Sequence, residues 1–277
     1  MTQPAHGSLC GQIALITGAS GGIGRATAEE MAAHGADVVL ADLSSPDALA
    51  EHITTTYGVC AIGVAMDVTS DASVIAARDK AVAALGKITI LVNNAGIMQR
   101  VSADHHTLPQ SDFDRMLSVH VSGPAIVSAA CIPDMREQGF GRIINLSSVI
   151  GHVGLARRTA YSTAKAAIAG LTRGLAMENA RSGITVNSVS PGYVLTDVLR
   201  EKIRLGTLDY AMFAGRSAVG RWAEASEIAR VIRFLAEPGS GFITGADWAV
   251  DGGYSINGNP GEDVGPIVPF SATGPEV

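Results

Sequence analysis

A short apolar run, Ile13 to Thr17, leads straight into Gly18-Ala-Ser-Gly-Gly-Ile-Gly24, and a helical pattern follows from about Ile23 to His34 before Gly35 ends it. This juxtaposition restricts the fold more than any other stretch. A strand feeding a tight glycine turn and then a helix is the opening of a parallel βα unit whose strand is buried on both faces. Glycines let the backbone turn sharply and approach a phosphate. The helix N-terminus offers free N–H groups and a favourable dipole to an anion. The spacing, Gly18-x-x-x-Gly22-x-Gly24, is not the commoner Gly-x-Gly-x-x-Gly.

The alternation then continues. Strands are predicted at 38–41, 59–66, 88–92, 142–146, 184–189 and 246–250. Helices are predicted at about 46–57, 71–85, 111–138, 160–181 and 224–236, and Gly123-Pro124 should bend or break the long one. Such alternation predicts an α/β fold, a parallel sheet with helices on both faces. Residues 11–256 read as one domain, preceded by an extension, 1–10, and followed by a Gly/Pro-rich tail, 257–277. Within it, 195–220 breaks the alternation and reads as a segment covering the substrate or as a surface insertion.

Charge narrows the partners. With a formal net charge of −6 and only 17% charged residues, the chain is expected to bind neither nucleic acid nor a membrane. Cys10, Cys60 and Cys131 are widely spaced, which argues against a disulfide framework or zinc knuckle. There is no basic start followed by an apolar segment, and no apolar run approaches the ~20 residues that span a bilayer. The expectation is a soluble, cytoplasmic protein.

Asp42 ends the second strand, at about the interval expected of a carboxylate that hydrogen-bonds a ribose 2′-hydroxyl. It would repel a 2′-phosphate, and no Arg or Lys occurs at 18–24 or 40–46 to receive one. NAD is therefore expected over NADP, with a plain strand-end cap as the other role open to Asp42. Further on, Tyr161 and Lys165 stand four apart in a predicted helix, on one face. A phenol titrates near ~10; an adjacent ammonium should lower that value and suit it to proton transfer. Ser148, after an apolar run, can offer its hydroxyl to a carbonyl or carbinol oxygen.

Together, Thr17-Gly-Ala-Ser-Gly-Gly-Ile-Gly24, Asp67-Val68, Asn93-Asn-Ala-Gly96, Ser148, Tyr161-x-x-x-Lys165, Pro191-Gly192 with Thr196, and Ile243-Thr-Gly-Ala-Asp-Trp-Ala-Val-Asp-Gly-Gly253 resemble the classical short-chain dehydrogenase/reductase family over about residues 10–255. The resemblance implies a Rossmann-type doubly wound sheet. It implies that Gly18, Ser20, Gly22, Ile23 and Gly24 line the pyrophosphate turn and that Asp67 and Val68 flank the adenine. Asn94 would border the adenosine ribose side and brace the sheet, while Val194 and Thr196 would contact the nicotinamide end. Asn93 is either a site residue or a structural bracket. Tyr161 would be the acid/base, Ser148 would position the substrate oxygen, and Lys165 would hold the nicotinamide ribose and lower the tyrosine pKa. A homotetramer built on helices 111–138 and 160–181 and the final strand is also implied.

One departure stands out: in Ser118-Val-His-Val-Ser-Gly123, His120 occupies the position where the family usually has an asparagine that holds a relay water. Its ring can relay protons near neutral pH or merely fill the same space. The expected reaction is NAD-dependent interconversion of a secondary alcohol (a polyol, sugar alcohol or small hydroxy compound) and its ketone. A 3-oxoacyl-thioester reductase and a non-catalytic nucleotide sensor are the alternatives. Asp104-His105-His106 reads as a solvated loop rather than a metal site, and no metal is expected. Arg157, Arg158 and His152 lie near the substrate entrance; the arginines can recognise a carboxylate or phosphate or serve surface contacts.

Overall fold

The computed structural model describes residues 7–258. The expected tail, 257–277, lies outside the described residues except for its first two positions, as do residues 1–6. Gly7 to Cys10 form a turn in which Leu9 is fully buried and donates its N–H to His34. Leu9 thus anchors the segment before β1 in the core, while Ser8 and Cys10 are exposed.

The first half of the chain runs β1 (Ile13–Thr17), α1 (Gly22–Ala33), β2 (Asp37–Asp42), α2 (Asp47–Tyr57), β3 (Ala61–Ala65), α3 (Asp71–Leu85) and β4 (Ile90–Asn93). Next come α4 (Gln110–Leu117), α5 (Gly123–Gln138), β5 (Gly141–Leu146), α6 (Ile150–Val153), α7 (Thr159–Asn179) and β6 (Ile184–Pro191). The last part holds β7 (Val194–Leu195), α8 (Asp197–Arg204), α9 (Tyr210–Ala214), β8 (Ala223–Glu224), α10 (Ala225–Ala236) and β9 (Asp247–Val250). Seven strands form one parallel sheet in the order β3-β2-β1-β4-β5-β6-β9, while β7 and β8 pair separately.

Because side chains alternate along a strand, each strand feeds two cores. Ala14 and Ile16 face α1, α2 and α10, whereas Leu15 faces α3, α5 and α7. Both faces are apolar, which is why these strands read as continuous hydrophobic runs. All seven share one direction, so the loops after β1 to β6 open at a single edge. The order reverses between β1 and β4, and the crevice there is where open α/β sheets bind ligands.

The bend or break expected at Gly123-Pro124 takes the form of an interruption in the α-helical bonding. The helix passes from α4 to α5 through a widened turn, Ser118–Ser122, in which Gly123 N–H returns to the Ser118 carbonyl five residues back. Pro124 has no N–H to return to His120 and sits in the first turn of α5, so one π-type turn accommodates the missing donor. Among the described residues the joined stretch Gln110–Gln138 is long and apolar enough to cross a bilayer, which corrects the expectation that no such stretch exists. Its α5 portion packs on α3, β4 and β5.

Candidate active site

Ser148 follows β5 by two residues, and Tyr161 and Lys165 lie on the first two turns of α7. Polar bonds fix this helix to the strand tips. The Ser147 hydroxyl donates to the Lys165 carbonyl at 2.8 Å, and Lys165 Nζ donates to the Leu146 carbonyl at 2.6 Å. Deeper in, Asn145 Nδ2 donates to Thr172 Oγ1 at 3.0 Å, and Asn93 Nδ2 donates to Asn145 Oδ1 at 2.8 Å and to Ser128 Oγ at 3.1 Å. Asn93 is thus a structural bracket joining β4, β5, α5 and, through Asn145, α7. The Asn93 amide nitrogen and both ends of the Asn145 amide are engaged in this way, which ties the strand tips to the helices.

Ser148 Oγ accepts from Ile150 N–H at 3.2 Å and acts on the nearby Tyr161 hydroxyl. Burial raises the Tyr161 pKa, and Ser148 works against that rise. The expectation that Lys165 lowers the phenol is therefore corrected: burial wins. The same burial pushes Lys165 down to about 7. At neutral pH the lysine carries only part of a charge, and its ammonium lies 5.8 Å from the Tyr161 ring centroid, engaged by the Leu146 carbonyl.

His120 is 3% exposed and meets the Tyr161 ring edge-on, with centroids 5.5 Å apart. It lies so close to Gly96 that a β-carbon there would be 2.7 Å from its Cε1. Its Nε2 is within reach of both the Ile97 N–H (3.1 Å) and the Ile97 carbonyl (2.9 Å), and the tautomer selects which bond forms. Burial and then the Lys165 charge push its pKa down to about 3, against the Ile97 bond that raises it. That shift favours the neutral imidazole, which accords with the space-filling role among the two read from the sequence. His120→Asn is accordingly expected to leave the shape of the kcat/KM–pH profile unchanged. Loss of a limb between pH 6 and 8 in that variant would contradict this assignment.

The glycine turn forms a cradle beside these groups. Helix α1 starts at Gly21 without a side-chain cap and without an acidic residue in its first turn, so its N–H groups and dipole are available to an anion. At Gly24 a β-carbon would lie 2.2 Å from the Gly18 carbonyl, so only glycine fits. Asn94 Nδ2 donates to the Thr17 and Gly18 carbonyls at 2.8 and 3.0 Å and braces the turn from β4. Asp42 Oδ2 accepts from Ser20 N–H at 3.0 Å and Oδ1 from Leu43 N–H at 2.8 Å. Its carboxylate therefore caps the strand end and borders the cradle at once. Arg25, the nearby cation, pairs with Glu29 at 2.9 Å on the helix surface.

Asp67 bonds Thr69 through its N–H and hydroxyl at 2.9 and 2.7 Å, and these bonds hold its carboxyl below the usual range. Val68 is buried, as is Val194, and Thr196 lies against Gly22. Topology thus brings Gly18, Ser20, Gly22, Ile23, Gly24, Asp42, Asp67, Val68, Asn94, Val194 and Thr196 to the strand-end edge that also holds Ser148. An uncapped helix N-terminus and an open glycine turn suit the pyrophosphate of a dinucleotide.

Sequence reading missed the aromatic wall. Tyr193 stacks on Phe213 at 4.3 Å and contacts Trp222 and Tyr254, and it packs with Tyr161 around Val149 and Ile150. These rings come from distant segments, so no spacing announces them. They also line a cavity of about 260 Å³ that includes neither Ser148 nor Tyr161; it lies beside the catalytic group and is not the catalytic cleft.

Comparison with known proteins agrees with this arrangement. A family model described as Enoyl-(Acyl carrier protein) reductase matches residues 18–255. The chain is 39% identical over 247 residues to cis-4-hydroxycyclohexanecarboxylate dehydrogenase of Sinomonas cyclohexanicum, across 88% of this chain and 96% of that protein. It is also 39% identical over 255 residues to 3-oxoacyl-[acyl-carrier-protein] reductase FabG of Pseudomonas aeruginosa, across 90% and 100% of the two. The crystal structure of levodione reductase matches with a TM-score of 0.84 and 30% identity, across 90% of this chain and 99% of that one. The chain belongs to the classical short-chain dehydrogenase/reductase family of oxidoreductases.

Proposed function

We propose that the protein interconverts a secondary alcohol and its ketone with NAD, using Tyr161 as the acid/base. The observation that carries this reading is the placing of Ser148 and Tyr161 close enough for the serine hydroxyl to act on the phenol, next to a glycine cradle bordered by Asp42. The bound nicotinamide supplies the hydride acceptor or donor. In the oxidative direction the Ser148 hydroxyl orients the carbinol oxygen, and Tyr161, having first released its own proton to solvent, takes the carbinol proton at Oη as the phenolate. Lys165, held by the Leu146 carbonyl, adds positive charge beneath the phenol as it ionises. Segment 195–220, resting on the β7–β8 pair, covers the substrate. His120 supports the Tyr161 ring by contact.

The substrate is a polyol, a sugar alcohol or another small hydroxy compound, and ring alcohols are favoured by the relative named for a hydroxycyclohexanecarboxylate. Formation of NADH over a panel of polyols, cyclohexanols, 4-hydroxycyclohexanecarboxylate and 3-hydroxyacyl thioesters tests this reading. Turnover of none of them would reject it and favour a nucleotide-binding sensor. Preference for the thioester would favour the acyl reductase. We further read the protein as a cytoplasmic homotetramer, which light scattering of the purified chain checks.

Asp42 also sets the cofactor. A 2′-phosphate placed against its carboxylate meets a like charge, with Arg25 already paired, and such a juxtaposition costs several kcal/mol. The expected result is a kcat/KM with NAD at least about 100-fold above that with NADP. Asp42→Ala should narrow the ratio, and equal use of both cofactors by the unaltered enzyme would refute the assignment.

A further inference from the structure

Two cations approach the loop 97–101 beside the catalytic phenol. Arg158, just before α7, donates from Nη1 to the Gln99 carbonyl at 3.1 Å. The buried Gln99 amide donates in turn to the Val101 and Arg157 carbonyls at 2.7 and 3.0 Å, which clasps the loop to the start of the helix. Lys202 of α8 reaches Met98 Sδ on the same loop at 3.5 Å. The neighbours of these cations are neutralised. Arg157 pairs with Asp104, Arg200 with Glu224 and Arg204 with Glu201. Among the described residues, neither Arg158 nor Lys202 has a carboxylate within ion-pair distance, and both are half-buried.

Arg157 adopts φ 64, a left-handed conformation that is costly for a non-glycine residue and is sustained by the Gln99 bond to its carbonyl. Arg158 is the N-cap residue of α7, three positions before Tyr161, and its carbonyl accepts from Ser162 N–H at 2.8 Å. Across the cleft, burial raises the Tyr193 phenol, Tyr254 adds to the rise, and the Arg158 charge opposes it. Arg158 therefore acts electrostatically on the same ring that packs with Tyr161. A half-buried guanidinium with no carboxylate partner, within electrostatic reach of Tyr193, suits a planar oxyanion, because the fork matches a carboxylate.

We infer that Arg158 is a specificity-determining residue that binds the carboxylate of a hydroxy-acid substrate, with Lys202 of the covering segment as the second cation. The inference rests on the oxidoreductase reading above and names the substrate class within it. The test compares kcat/KM for 4-hydroxycyclohexanecarboxylate and 4-hydroxycyclohexanecarboxamide in the unaltered enzyme, Arg158→Gln, Arg158→Lys and Lys202→Met, with NADH binding and thermal melting recorded for each. The unaltered enzyme should prefer the acid. Arg158→Gln should reduce the acid-to-amide ratio about 10- to 100-fold, chiefly through KM for the acid. Arg158→Lys should reduce it several-fold, because a point charge lacks the fork, and this variant carries the test if the glutamine variant fails to fold. Lys202→Met should have a smaller effect of the same sign. An unchanged ratio in both Arg158 variants, or a preference for the amide in the unaltered enzyme, overturns the inference. Turnover of neutral cyclohexanols but not of the acid overturns it while leaving the oxidoreductase reading standing. Absence of NADH with every secondary alcohol overturns both.

Discussion

Tyr161→Phe is expected to lower kcat by about 10²- to 10⁴-fold, the range supplied by a positioned acid/base, while NADH binding stays close to that of the unaltered enzyme. The structure explains the separation. The Tyr161 ring packs among Val149, Ile150, Tyr193 and Tyr254 and meets the His120 ring edge-on, and all of this survives removal of one oxygen. What is lost is the hydroxyl that Ser148 acts on and that, as the phenolate, would accept the substrate proton. Its structural contribution is at most one hydrogen bond, about 0.5–1.5 kcal/mol, too little to unfold the chain. Single-turnover NADH formation and a fluorescence titration of NADH measure the two effects on the same sample. Turnover at the level of the unaltered enzyme would remove Tyr161 from the mechanism.

Lys165→Met is expected to lower kcat by a comparable factor and, in acid, to stabilise the protein. The ammonium titrates near 10.5 when exposed and near 7 in the fold, because burial penalises the charge. Between those values the unfolded chain holds more protons than the folded one, so stability from this group rises with pH from about 7 to 10.5. Below pH 7 both states are protonated, and the cost of burying the charge is at its largest. The variant lacks this cost at every pH. It also leaves the Leu146 carbonyl without its donor, a penalty of about 1–3 kcal/mol that does not vary with pH. Melting temperatures of the two proteins at pH 6 and pH 10 therefore provide the test: the variant's standing relative to the unaltered enzyme should be best at pH 6 and decline toward pH 10. A difference independent of pH would mean that Lys165 is not buried as a titrating amine. Falling activity with rising acid stability is the trade expected where a site holds a charge its surroundings disfavour.

Local chemistry decided how much of this was legible. The helix expected at 71–85 is found with both ends in place, since Ser70 Oγ accepts from Ser73 N–H at 3.3 Å at one end and Gly86 stops it at the other. Helix α10 was equally readable: Glu227 accepts from the Glu224 N–H at 2.9 Å, and Ile228, Ile232 and Leu235 line its buried face. Gly123-Pro124 marked the place of an irregularity but not its form: with α5 held against α3 and the sheet, it is one widened turn. The pKa directions at Tyr161 and Lys165 misled for a related reason. Spacing says that two groups are near each other but not how dry their surroundings are, and the desolvation of both outweighs their mutual effect.

The sequence by itself determined the sheet and its cofactor edge. Alternating apolar strands and amphipathic helices admit few other arrangements, and the glycine turn, Asp42, Ser148, Tyr161 and Lys165 each follow or end an element whose type is set by near neighbours. Only the tertiary structure decided the state of those groups and the company they keep. It made His120 a neutral, buried ring against Gly96, turned Asn93 into a bracket, gathered Tyr193, Phe213, Trp222 and Tyr254 into one wall, and left Arg158 without a counter-charge beside the phenol. Burial, ionisation and pairing depend on residues far apart in the chain, and no local pattern records them.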